Sequence, residues 1–448
     1  MSSNNPITSI EHYATLFETF ESRLNGGARH AIHAVRQAAL KSLRDEGFPT
    51  HRDEAWRHTN PAPLSTPAFT PAETVTADPE TISPWTVAGL SAGPRLVFVN
   101  GRYVEDASRA AQLPEGVRVR RLAEAITAGD AAVTEHLGRS ESHCAGGFAA
   151  LNTAFLDDGV LVFVDAGVTL EAPVEILHIT RPDSTPTLVT PRTLIVAAAG
   201  SRLQVMETFV SLGEGDYLTA PVTEVVLAAG AHVEHTRLQS DTDVGHHASV
   251  LHVQEGEDAT FISHSLGLGG RLVRNDVTTV LAGERISSTL NGLFLSRGQE
   301  HIDNYTSIEH AAPNCESHEL YKGVLTDKAQ GVFRGKIHVH QIAQQTDAYQ
   351  SNQNLLLSDD AGIMSKPQLE IYADDVKCSH GSTTGELDED AMFYLRTRGI
   401  GKATAMQVLT RAFADELVDR ISNPVIRQHV ELLVTRRLNE LLDGGATS

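Results

Sequence analysis

Cysteine is scarce in this chain. Cys144, Cys315 and Cys378 are its three cysteines in 448 residues, and no two form a CxxC pair. That excludes a disulfide framework and a four-cysteine set for a permanently held iron–sulfur cluster, and it fits free thiols in a reducing cytosol. Positive charge is also in deficit. Lys plus Arg number 36 against 57 Asp plus Glu, a net charge of -21. This argues against nucleic acid or an anionic membrane as the main partner, because both require clustered basic residues. No apolar run reaches the roughly 18 residues that a membrane span needs. The opening MSSNNPITSIEHYATLF has neither a basic n-region nor an apolar h-region, so the expectation is a cytoplasmic chain without a secretory leader.

Nucleotide signatures are missing as well. The run from Gly331 to Ile337 has the wrong spacing for a Walker A loop and no hydroxyl residue after Lys336. Gly401-Lys402-Ala403 lacks both the upstream glycine and the hydroxyl, and Gly267-Leu268-Gly269-Gly270 lies among strands without opening a helix. The expectation is that this chain binds no nucleotide, and that any ATP chemistry belongs to another chain. A GxSxG elbow is absent too.

What is present is a core-forming composition, 41% hydrophobic, and three kinds of pattern. Residues 8 to 45 carry helical spacing: Ile10, Tyr13, Leu16, Phe17, Phe20 and Leu24, then Ile32, Val35, Ala39 and Leu43. Gly47-Phe48-Pro49-Thr50 ends the second helix, and the polar stretch His51 to Thr59 reads as a surface segment anchored by Trp56. Residues 60–90 read as a long connection. Arg95–Val99 reads as a strand running into an Asn100-Gly101 turn. After Gly385 helices return: one capped by Asp388, one from about Lys402, and one beginning at Asn423-Pro424.

Between these ends lies a repeat. Short apolar strands lead into a small turn and a second strand, with turn glycines at 167, 200, 230, 256 and 283, spaced 33, 30, 26 and 27 residues apart. A drifting period with strands and no interleaved helix predicts a stacked parallel β-helix, in which neighbouring coils bury each other's apolar faces. The expected organisation is a helical region with linker over 1–90, a mixed segment over 91–157, the β-helix over 158–386 and a helical tail over 387–448. Because solenoid ends need caps, the tail could serve as a lid or dock a partner.

Chemistry concentrates at Val376-Lys377-Cys378-Ser379-His380. Strand side chains alternate, so Cys378 and His380 point the same way. Thiolate and imidazole on one face suit a soft metal or a nucleophile–base pair. A strand cysteine alone is ordinarily a small buried hydrophobe. Three options therefore stand: a buried Cys, a reactive Cys, or a Cys that completes a site with another subunit. His338 and His340 have metal-like spacing without an evident third ligand. The pairs Asp359-Asp360 and Asp374-Asp375 cannot each act as one carboxylate site, since adjacent strand residues face opposite ways.

The run GIMSKPQLEIYADDVKCSHGSTTGELDEDAMFYLRTRGI resembles the signature region of the SufB/SufD family of iron–sulfur cluster assembly scaffold proteins. Tyr349 to Ser358 resembles it too, and Gly47 to Thr50 with Asp53 to Arg57 resembles the SufD branch. The resemblance implies a mainly β fold, a right-handed parallel β-helix flanked by N- and C-terminal helical domains. It implies a non-enzymatic scaffold that pairs with SufB at the β-helix end, docks the SufC ATPase on C-terminal helices, and forms a homodimer in isolation. It also implies a link to iron acquisition. The family's functional Cys and His fall on Cys378 and His380, as one side of a transient iron or cluster site shared with a partner subunit. The alternatives are a SufB-type subunit, a carbohydrate-active β-helix enzyme, which would carry a secretory leader and converging carboxylates, or a β-helix used purely for protein binding.

Overall fold

The computed structural model describes residues 6–24, 30–72, 78–138 and 146–444. Its centre is a parallel β-helix of about eight turns, built from two sheets of twelve and ten strands. One sheet runs from Val117–Arg121 through Val160–Val164, Arg192–Ala197 and Val222–Leu227 to Gln330–Val339 and Gly362–Ile371. The other runs from Arg95–Val99 through Val174–Thr180, Arg202–Ser211 and His232–Ser240 to Thr346–Leu356 and Val376–Gly385. The sheets thus reach upstream of residue 158. The Asn100-Gly101 turn forms as the sequence predicts, with both residues at positive φ and Arg102–Tyr103 folding back antiparallel. VLVFV is apolar throughout, and RTLIVA is buried throughout with its Arg192 and Thr193, because both faces are covered, as parallel sheets require.

Successive coils pair in register without slippage. Arg202, His232, Thr260, Ser287, Glu316, Asp347 and Lys377 form one column, so each coil consumes 27 to 31 residues. The repeated glycines are corner residues. Gly167, Gly200 and Gly230 all have φ near +70° and stack on one another, a conformation that a Cβ disfavours. In the next two coils the left-handed position moves to Asp258 and Arg285, and Gly256 and Gly283 instead make room for the neighbouring corner's backbone.

Helices flank both sheets rather than the end of the solenoid. Helices Pro6–Arg23, Ile32–Glu46 and Gly147–Ala154 pack with Trp56 and Phe69 against Leu218, Ala220, Ala248 and Leu272 of the first sheet. Trp56 is buried under the Arg274 guanidinium, which also bonds Asp303 at 2.7 Å. Only the polar rim of its segment is exposed, and there Glu54 pairs with Arg334 and Lys366. On the other side, helices Lys402–Val418 and Pro424–Gly444 bury Leu417, Val418, Ile426, Val430 and Val434 against Leu238, Leu266, Leu293, Leu295 and Leu320. Asp388 and Asn423 cap their helices as the sequence predicts. A buried ion pair, in which Arg437 Nη2 donates to both Glu300 carboxylate oxygens at 2.5 and 2.6 Å, pins the last helix to the solenoid.

The space between the sheets is apolar over most of its length, with Val162, Ile195, Val205, Val225, Val253, Phe261, Ile308 and Ile337 in one cluster. Buried carboxyls interrupt it. Burial pushes Glu207 up, but His235 at 3.1 Å and the Thr193 and Thr223 hydroxyls more than offset this and hold it at about 2. Glu255 and Glu319 have only neutral partners, so burial dominates and lifts each to about 7.

Two outcomes follow from this packing. Arg437→Leu strands Glu300 as a buried charge and should lower unfolding free energy by about 3–5 kcal/mol, most of it recovered by adding Glu300→Leu. Denaturant melts in which the double variant is no more stable than the single would contradict that origin. For Glu319, a folded pKa of about 7 against an ordinary 4.5 means that the folded state holds the proton more tightly. Its contribution to stability is complete below about pH 4.5 and is lost as pH rises through 7. The stability difference between the wild type and Glu319→Gln should therefore shift with pH across that window, by at most about 1.4 kcal/mol per unit. Parallel pH–stability curves would exclude it.

Candidate functional site

The solenoid ends on an open coil. Among the described residues, strands Gly362–Ile371 and Val376–Gly385 each have a sheet neighbour on one side only, which leaves one edge of each backbone without a ladder partner there. The coil beneath is largely buried, whereas Val376–Gly385 is half-buried to exposed along its length. Met364, Ile371, Tyr372 and, one coil down, Tyr349 are exposed around it. The coil is closed internally by Ser382 Oγ donating to Ser365 Oγ at 2.9 Å.

Cys378 and His380 sit on this last strand, paired in register with Ala348 and Gln350. Strand alternation puts both on one face, and that face is the inward one, since Cys378 packs against the core cluster. Cys378 is half-buried and His380 exposed, because among the described residues no further coil lies over them. Burial pushes the Cys378 thiol up, Asp347 adds to the rise, and the Ala348 backbone amide opposes it. The thiol is therefore no standing thiolate. A cation brought to it would have to displace the proton, which makes binding there pH-dependent. Thiol and imidazole together offer two donors for a soft or borderline metal.

The other sequence candidates lie elsewhere. His338 and His340 are on the outer face of the first sheet, since the alternating Ile337 and Val339 are core residues. His338 Nδ1 meets Glu370 Oε2 at 3.0 Å and His340 Nε2 meets Glu309 Oε1 at 2.7 Å, with the two rings edge-to-face. They are hydrogen-bonded to carboxylates on the outer face, and Glu309 and Glu370 are partners that the sequence reading missed. Cys315 is fully buried, its Sγ donating to the Gly283 carbonyl at 3.2 Å. Asp359, Asp360, Asp374 and Asp375 are exposed. His143 and Cys144 lie outside the described residues. Among the described residues, no group of three or more His, Cys, Asp or Glu side chains is placed to hold a metal ion, and no helix is long and apolar enough to cross a membrane. Helix Glu389–Thr397 follows the open coil directly. It has no buried residue and exposes Phe393 and Tyr394 at 68% and 57%.

Comparison with known proteins matches residues 178–413 to the family described as SUF system FeS cluster assembly, SufBD core domain, and residues 7–176 to the SufBD protein N-terminal region. The chain is 35% identical over 421 residues to the iron-sulfur cluster assembly protein SufD of Escherichia coli K12, covering 92% of this chain and 93% of that one. It is 30% identical to a SufBD family protein of Synechocystis over 86% of each chain. To the chloroplastic protein ABCI7 of Arabidopsis thaliana it is 26% identical, over 92% of this chain and 88% of that one. With a continuous β-helix, flanking helices and matches over nearly its whole length, the chain belongs to the SufBD family of iron–sulfur cluster assembly proteins and is SufD-like.

Proposed function

We propose that this chain is a non-enzymatic scaffold subunit of a cytoplasmic SUF cluster-assembly complex. Its open coil pairs with a SufB-type subunit, and its C-terminal helices receive a SufC-type ATPase. Cys378 and His380 supply one side of a transient site through which iron, or the nascent cluster, passes as cargo, and the chain takes part in iron supply. The observation that carries this reading is the placement of two metal-type donors on the inward face of a strand that has no covering coil. A donor pair on an unpaired sheet edge is suited to completion by a second chain adding its own strand. The raised Cys378 thiol supports a transient site, since a neutral thiol grips cargo weakly until another charge is brought near. The same edge can accept a second copy of this chain when the partner is absent.

For the ATPase, the support is the exposed aromatic pair on Glu389–Thr397. The longer helices Lys402–Val418 and Pro424–Gly444 are part of the solenoid's own packing, so removing the whole tail would strip apolar surface from the second sheet and is not a clean test. Phe393→Ala with Tyr394→Ala should leave melting unchanged and weaken ATPase capture by roughly 30-fold, the effect of losing about 2 kcal/mol of aromatic anchor. Undiminished capture would move the dock elsewhere.

For the cargo site, Cys378→Ala combined with His380→Ala should leave the complex assembled while iron and sulfide recovered with it fall by about tenfold or more, as loss of metal-site groups does. Unchanged iron and sulfide on an intact complex would remove both residues from the site.

A further inference from the structure

His380 caps a column of inward side chains. Directly beneath it is Gln350, and beneath that Glu319, each one coil apart in unbroken register. Parallel strands stack like positions about 4.8 Å apart, so each side chain in such a column meets chiefly the one above and the one below. The lower contact of Gln350 is made: its Nε2 donates to Glu319 Oε2 at 2.5 Å. Its Oε1 has no partner among the described residues, although the residue is 0% exposed. A buried amide oxygen without a donor is uncommon and calls for one. The opposite sheet holds the amide in place, because Gly335 lies across from it and a Cβ there would come within 2.0 Å of Gln350 Nε2. The amide therefore lies in a notch with its nitrogen committed downward, and the group above it in the column is the His380 ring. The other side chains around that ring on its own strand and face are Cys378 and Ser382, and Pro367 occupies the facing column above Gly335.

We propose that Gln350 is a positioning residue for His380. Its side-chain carbonyl accepts the N–H of one ring nitrogen and leaves the other free for metal cargo, and Glu319 fixes the amide the right way round. This deepens the proposed cargo site and rests on that reading. Groups of this kind fix the tautomer and direction of a ligating imidazole, and removing them typically weakens a metal site by about 10- to 100-fold. The sequence marks Gln350 only as part of the Tyr349 to Ser358 run and gives Glu319 no role, since neither is near Cys378 along the chain.

The test uses the full-length chain with Co(II) alone as probe, read by the thiolate-to-cobalt absorption band, and ¹⁵N-histidine spectra that report the His380 tautomer. A His380→Asn sample assigns the His380 signal. Gln350→Leu should weaken Co(II) binding about 10- to 100-fold and turn His380 from one dominant tautomer into a mixture. The exchanged pair Glu319→Gln with Gln350→Glu, which keeps an acceptor under the ring, should restore both. Thermal melts check that each variant is folded, and Gln350→Leu with Glu319→Leu provides a second version without a stranded carboxyl. If Cys378→Ala with His380→Ala leaves Co(II) binding unchanged, the site reading itself fails. If that pair abolishes binding while Gln350→Leu alters neither affinity nor tautomer, the Gln350 carbonyl meets an ordered water only and the proposal is overturned.

Discussion

Register between coils governs this molecule. Each strand between the two ends hydrogen-bonds to the coil before and the coil after, and the pairing runs from Val174–Thr180 to Val376–Gly385 without a slipped residue. A slip of one would turn every inward side chain outward. Variation in coil length is therefore confined to the corners, where Gly167, Gly200, Gly230, Asp258 and Arg285 take left-handed backbone in turn. The consequence for function is geometric. The chemistry of the last coil stands on a stack of residues whose positions recur at the coil spacing, not at any spacing within one strand.

Much of this was legible in the sequence. The glycine period disclosed the solenoid because three successive corners need φ near +70°. It disclosed less at Gly256 and Gly283, whose role is close approach to the neighbouring corner's backbone, while Asp258 and Arg285 carry the strained position. The shared face of Cys378 and His380 followed from strand alternation alone. The destination of the tail did not. Helical spacing in 402–444 shows an apolar stripe but not what it covers, and that stripe lies along the second sheet rather than over the end of the coils. Nor did sequence separate the outward His338 and His340 from inward ones, since a run bounded by core residues can start on either face.

The interior polar groups illustrate the same limit. Glu207 and Glu319 are both buried acids between the sheets, yet one is held low and the other high, because only Glu207 has an imidazole within reach. That difference depends on side chains a coil or more away in sequence. Glu319, Gln350 and His380 are separated by 31 and 30 residues. Extending the coil period backward from the Cys378–His380 strand is the signal that would have found them.

The missing ladder partner of Val376–Gly385 has a thermodynamic corollary. On the proposed reading, the strand that supplies the donors is also the strand that joins the assembly, so the two equilibria share one element. By linkage, any factor by which a second chain on that edge tightens the hold on cargo is the factor by which cargo tightens the hold between the chains. A subunit pair loosened at this edge would then release what it carries, and a loaded pair would resist being opened.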